Sequence, residues 1–108
     1  MQDKFFADSW AAATHEIISY GDVPCGYLHI EHRANDIQIH ELVIDPEFQG
    51  NGIGSHILRE TMGIAGTRSI PIHLRVLRLN RAANLYRRLG FREIGTTDTH
   101  VLMEWRSL

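Results

Sequence analysis

The chain has 108 residues, 44% of them hydrophobic and 22% charged, which is the make-up of one globular domain and not of a fibre, a repeat array or a disordered segment. No apolar run approaches the roughly 18 residues of a membrane span, and MQDKFFADSW lacks the basic start and apolar core of a secretory leader, so a cytoplasmic protein without a membrane partner is expected. The net charge of -2 hides a division: residues 1–60 hold ten acids against three basic residues, whereas residues 61–92 hold seven arginines and no acid.

In chain order, KFFADSWAAA opens the sequence as a short helix within residues 1–14. EIISY and CGYLHIEH flank the turn signal Gly21-Asp22 and, with RAND as the next turn, read as an antiparallel meander. DIQIHELVID alternates with period two, setting Ile37, Ile39, Glu41 and Val43 on one face and Gln38, His40, Leu42 and Ile44 on the other. Asp45-Pro46 ends that strand. Residues 52–65 place Ile53, Ile57, Leu58 and Ile64 near helical spacing, and SIPIHLRV alternates again through Ile70, Ile72, Leu74 and Val76. A second helix over about 80–89 begins at the N-cap Asn80, carries Ala82, Leu85, Tyr86 and Leu89 as its stripe, and stops at Gly90. FREIGTT and HVLMEW close the chain as a hairpin. This order predicts an α+β fold over residues 1–108 as a single domain: a mixed, mostly antiparallel twisted sheet with helices.

The stretch QGNGIGS puts three glycines where strand gives way to helix. A helix start offers unpaired N–H groups and a partial positive charge to an anion, and glycines there remove the Cβ atoms that hold a phosphate off the backbone. The same glycines also suit a plain tight turn. The stretch is not the dinucleotide fingerprint, because Ser55 stands at the third glycine position, and no Gly-Lys-Ser/Thr follows to make a phosphate loop. The seven arginines suit an anionic partner, since the guanidinium fork pairs with phosphate oxygens, or else form a solvated basic face. They lack interleaved aromatics and sit beside an acidic half, so nucleic acid is not expected. The single cysteine, Cys25, cannot form an internal disulfide, and no Cys/His spacing suggests a metal.

ELVIDPEFQGNGIGSHIL, followed about thirty residues later by NRAANLYRRLGF, resembles the GCN5-related N-acetyltransferases, the GNAT superfamily. Gln49, Gly52 and Gly54 match the core of its motif A, and Asn80, Ala83, Tyr86 and Gly90-Phe91 match its motif B. The resemblance covers roughly residues 15–106. It implies acetyl-CoA as co-substrate, with the backbone of Leu42, Val43 and Ile44 along the pantetheine arm. It also implies the pyrophosphate on Gln49, Gly50, Asn51, Gly52, Ile53, Gly54 and Ser55. The motif A strand and PIHLRV are expected to splay into an acyl-CoA cleft, with Asn80 and Ala83 on its far side and Arg88, with Arg87 as a further candidate, reaching CoA phosphates.

By the same resemblance, a neutral primary amine attacks the thioester carbonyl directly, the Ile44 N–H stabilises the oxyanion, and Tyr86 gives its proton to the leaving thiolate. With reference pKa values of about 10 and 8.5, that last transfer is uphill by roughly 2 kcal/mol in water. His40, whose position is similar to that of a histidine in arylalkylamine N-acetyltransferases, is the candidate base, with Glu41 its rival. The glutamate that serves ribosomal-protein N-acetyltransferases is replaced by Arg75. The amine is a small molecule or a protein terminus; a non-catalytic acyl-CoA-binding module is the alternative function. Only about fourteen residues precede the first matching strand, fewer than in family members, so Phe5, Phe6 and Trp10 are expected to cover an apolar sheet face or to pair two copies as a homodimer.

Overall fold

Two turn signals fold the first third of the chain back on itself. The computed structural model describes residues 13–107. Strand β1 (Ala13–Tyr20) runs into β2 (Val23–His32) through a turn at Gly21, whose φ of 65° suits glycine, and β3 (Ile37–Ile44) pairs with β2. A 3₁₀ turn at Pro46–Phe48 leads to α1 (Ile53–Arg68), then β4 (Ile72–Leu77), α2 (Ala82–Arg88), β5 (Arg92–Thr96) and β6 (His100–Trp105). The expected leading helix lies outside the described residues, except that Ala13 and Thr14 belong to β1.

The six strands form one sheet in the order β1-β2-β3-β4-β6-β5, antiparallel except for the β3–β4 pair. Parallel neighbours need a long crossover, and α1 supplies it. The core lies between the sheet and the helices, where Ile37, Leu58, Ile72 and Met103 are fully buried; each such side chain contributes about 1.5–3 kcal/mol. The inward stripe of α1 is Leu58, Thr61 and Ala65, and the Thr61 hydroxyl donates to the Ile57 carbonyl at 2.9 Å, which satisfies it in the core. Ile64, expected on that stripe, is exposed. The helix ends one turn later than expected, where Ser69 turns left-handed, and β4 starts only after Pro71, which has no N–H to give a ladder.

The expected alternation of β3 fails at one place. Ile30 pairs with Ile39 but His29 pairs with Glu41, so His40 is an extra residue, a β-bulge. Before it Ile37 and Ile39 are buried; after it Leu42, opposite the buried Leu28, packs against the same core. His40 and Glu41 therefore share the face away from the helices, and Leu42 and Ile44 lie on the other. This corrects both the placing of His40 with Leu42 and the separation of His40 from Glu41. On the away face the described residues include His15, Ile17, Tyr27, His29, Glu31, Gln38, His40, Val43 and His73, a mixed surface in which exposed Ile17 and Val43 flank a histidine-rich centre.

Candidate active site

Pairing between β3 and β4 stops almost as soon as it begins. Only Ile37 with Ile72, Gln38 with His73 and Ile39 with Leu74 are in register, although β3 continues to Ile44 and β4 to Leu77. The expected splay is present. Its closed end is clamped by charge: Arg33 donates to Asp36 through Nε at 2.7 Å and Nη2 at 2.8 Å, and His73 bridges Asp36 at 2.7 Å and Glu104 at 2.9 Å. The Arg33 guanidinium, with His73 behind it, brings Asp36 down to about 2, and His73 and then Arg106 lower Glu104.

The open end of the gap is a cleft of about 700 Å³. Leu42, Val43 and Ile44 line it from β3, Gln49, Gly50, Ile53 and Gly54 from the loop and α1, and Asn80, Tyr86 and Arg88 from the opposite side. Phe48, Leu79, Arg81, Ala82, Asn84 and Leu85 complete the lining and were not named as site residues from the sequence, where Ala82 and Leu85 were read as the helix's apolar stripe; the signal of all six was adjacency to the two motifs. Asn51, Gly52, Ser55 and Ala83 are not lining residues; Ala83 is buried in the core.

The glycines do two different jobs. Gly50 and Gly52 have φ of 87° and 78°, and a Cβ on either would meet nothing within 4 Å, so the backbone geometry requires glycine and the space above it stays open. Gly54, by contrast, has no positive φ; it lines the cleft at the start of α1, where a Cβ would make a 3.4 Å contact with the end of the Leu85 side chain. The first turn of α1 leaves N–H groups without helical partners beside that open space. Gln49 donates from its side chain to the Ile44 carbonyl at 2.9 Å and Asn51 to the Phe48 carbonyl at 3.1 Å, so these amides shape the loop.

On the other wall, Asn80 caps α2 by accepting the Ala82 N–H at 2.8 Å. The helix closes with Gly90 at φ 104°, the Gly90 N–H on Arg87 and the Phe91 N–H on Tyr86, a Schellman motif whose apolar contact is the Tyr86–Phe91 ring pair at 5.7 Å. Tyr86 is thereby fixed, 6% exposed, and burial raises its phenol above the usual value. That keeps it protonated, and it makes proton release more uphill than the reference values suggest. Arg88 reaches the cleft, whereas Arg87 pairs with Glu93 at 2.6 Å.

His40 and Glu41 do not line the cleft; they stand on the away face, beside the point where the strands part. His40 Nε2 donates to Glu31 at 2.9 Å, and its ring packs on His29, which stacks in turn on His15. Burial, then His15 and His40, lower His29, whose Nε2 is buried with no hydrogen-bond partner among the described residues. Among the described residues no set of three or more His, Cys, Asp or Glu is arranged to hold a metal ion, and no helix is long and apolar enough to cross a membrane.

A sheet split between two parallel strands, with a glycine-opened helix start on one wall and a capped helix carrying a buried tyrosine on the other, defines an α+β domain of acetyltransferase type. The acetyltransferase (GNAT) domain model matches residues 7–93, and the chain belongs to that family. The N-alpha-acetyltransferase RimI of Mycobacterium tuberculosis is 39% identical over 61 residues, 56% of this chain and 37% of that protein, so the chain spans little more than a third of that relative. The PaiA N-acetyltransferase of Thermoplasma acidophilum, solved in complex with coenzyme A, superposes with a TM-score of 0.80 at 21% identity over 98% of this chain and 68% of its own. The ribosomal-protein-S18-alanine N-acetyltransferase of Escherichia coli does so with a TM-score of 0.74 at 21% identity, over 96% and 76%. At these identities the two structures share the fold.

Proposed function

We propose that this domain moves an acetyl group from acetyl-CoA directly to a primary amine, and that the amine is the free terminus of a polypeptide. The carrying observation is the cleft, in which Gly50 and the start of α1 at Ile53 and Gly54 stand on one wall and Tyr86 and Arg88 on the other. The pyrophosphate lies on the N–H groups at the start of α1, Arg88 takes a CoA phosphate, and the pantetheine follows Leu42, Val43 and Ile44. The Ile44 N–H receives the oxyanion as the amine nitrogen bonds to the carbonyl carbon. The C–S bond then breaks and the thiolate takes its proton from Tyr86. The amine enters from the away face, beside the point where β3 and β4 part, and His40 takes the proton it loses.

The acceptor class rests on the RimI relative and on acidity. An α-amino group, with pKa about 8, is neutral near pH 7 far more often than a lysine at about 10.4. A base of imidazole strength suits it.

A thermal-shift titration of the wild type and Gly52→Asp with acetyl-CoA tests the cradle. At 100 times Kd a ligand stabilises by about 2.7 kcal/mol, or about 10 °C in a domain of this size. The expected result is a shift in the wild type and none in the variant, whose carboxylate repels the pyrophosphate. A folded wild type that does not shift overturns the reading.

A further inference from the structure

On the away face the pairing register does something the strand pattern alone does not show. His15 faces His29 across β1 and β2, His29 faces Glu41 across β2 and β3, and the bulge turns His40 onto the same surface, with its ring 4.5 Å from that of His29. Glu31, two residues along β2 from His29, reaches His40 from the side. We infer that Glu31 and His40 form an oriented dyad, in which Glu31 is a positioning residue that fixes the tautomer and tilt of the proton-accepting imidazole. The inference rests on the proposed transfer to an amine.

The chemistry follows from which atoms donate. A carboxylate only accepts, so His40 Nε2 carries the hydrogen in the 2.9 Å contact with Glu31, and Nδ1 is left as the basic nitrogen. Nδ1 has no partner among the described residues. When the amine nitrogen bonds to the acetyl carbon it becomes positively charged; its proton passes to Nδ1, and the imidazolium that forms is held by the Glu31 carboxylate. The charged and titratable groups around the ring are Glu31, His29 and His15 from β1 and β2, Glu41 beside it, and Arg33, whose Nη1 stands 3.9 Å from Glu31. His29 packs as a wall: burial and its histidine neighbours disfavour its charged form, so it does not compete with His40 for positive charge. Imidazole–carboxylate pairs of this kind orient bases on unrelated folds.

The test is a double-mutant cycle on kcat with acetyl-CoA and a short peptide bearing a free α-amino group, using wild type, Glu31→Gln, His40→Ala and the double variant. Gln keeps the size of the side chain and removes its charge. His40→Ala is expected to lower kcat roughly 10²-fold and Glu31→Gln about tenfold, with the KM for acetyl-CoA within twofold of wild type in both. If Glu31 acts through His40, Glu31→Gln in the His40→Ala background changes kcat less than twofold. Glu31→Asp should recover part of the loss. A tenfold loss in both backgrounds, or no loss in either, overturns the dyad while leaving His40 as base. A wild-type kcat in His40→Ala overturns the base and the dyad together. A wild type that shifts with acetyl-CoA but acetylates no such peptide overturns the acceptor on which both rest.

Discussion

The clamp at the closed end of the split sheet makes a sharp prediction through Asp36. Its carboxylate takes two hydrogen bonds from Arg33 and one from His73, and its pKa falls to about 2, against about 3.9 in an unfolded chain. A depressed acid stabilises the fold above its unfolded pKa and loses that contribution as pH falls through the folded one. That difference corresponds to about 2.6 kcal/mol, fully present above pH 5 and largely gone by pH 2. Asp36→Asn removes the charge and keeps the shape, so at pH 7 its Tm should lie about 10 °C below wild type, with the gap closing as pH drops from 4 to 2. Thermal melts of both proteins at pH 7, 4 and 2 measure this directly, because other titrations cancel in the difference. A gap of the same size at pH 7 and pH 2 would refute the reasoning. The clamp also holds the three residue pairs from which β3 and β4 diverge, so the variant should bind acetyl-CoA more weakly at pH 7.

Three further outcomes are expected. Tyr86→Phe keeps the ring contact with Phe91 and removes the proton, so steady-state kinetics should show kcat falling roughly 10²-fold with the KM for acetyl-CoA nearly unchanged; an equal rise in KM would argue for binding instead. Arg88→Ala should weaken CoA binding in a calorimetric titration, whereas Arg87→Ala should not, because Arg87 is held by Glu93 and does not line the cleft. Gly26→Ala should cost several kcal/mol in a denaturant melt, since a Cβ there would sit 2.2 Å from the Val43 carbonyl oxygen, a backbone atom that cannot swing aside.

Much of this was legible because the chain punctuates itself chemically. Asn80 and Gly90 bracket α2 because one has a side-chain oxygen for orphan N–H groups and the other tolerates positive φ. The three glycines stood out at the strand-to-helix turn, where Gly50 and Gly52 take positive φ and Gly50 and Gly54 line the cleft. The bulge was missed by trusting alternation through IQIHELVI. Apolar residues at 37, 39, 42 and 44 already break the period, and the polar pair His40-Glu41 fills the break. The histidine stack was not legible, since it depends on cross-strand register, which is itself displaced between Ile18 and Ser19. Arg88 was singled out through motif B, but the rest of the sorting was not legible: Glu93 claims Arg87 from the next strand, and only the fold brings Arg81 to the cleft.

The helix α2 has only seven residues, too few to persist in water by itself. It exists because Ala83 and Tyr86 are buried against the sheet and because Phe91 locks over the Tyr86 ring. The side chain assigned the proton for CoA is thus also the peg on which its own helix hangs. Most substitutions at position 86 confound lost chemistry with lost structure, and a single oxygen atom separates the two. A descendant of this domain that abandoned catalysis while keeping its shape would be expected to carry phenylalanine there, so the presence or absence of that one hydroxyl offers a way to sort working copies from retired ones.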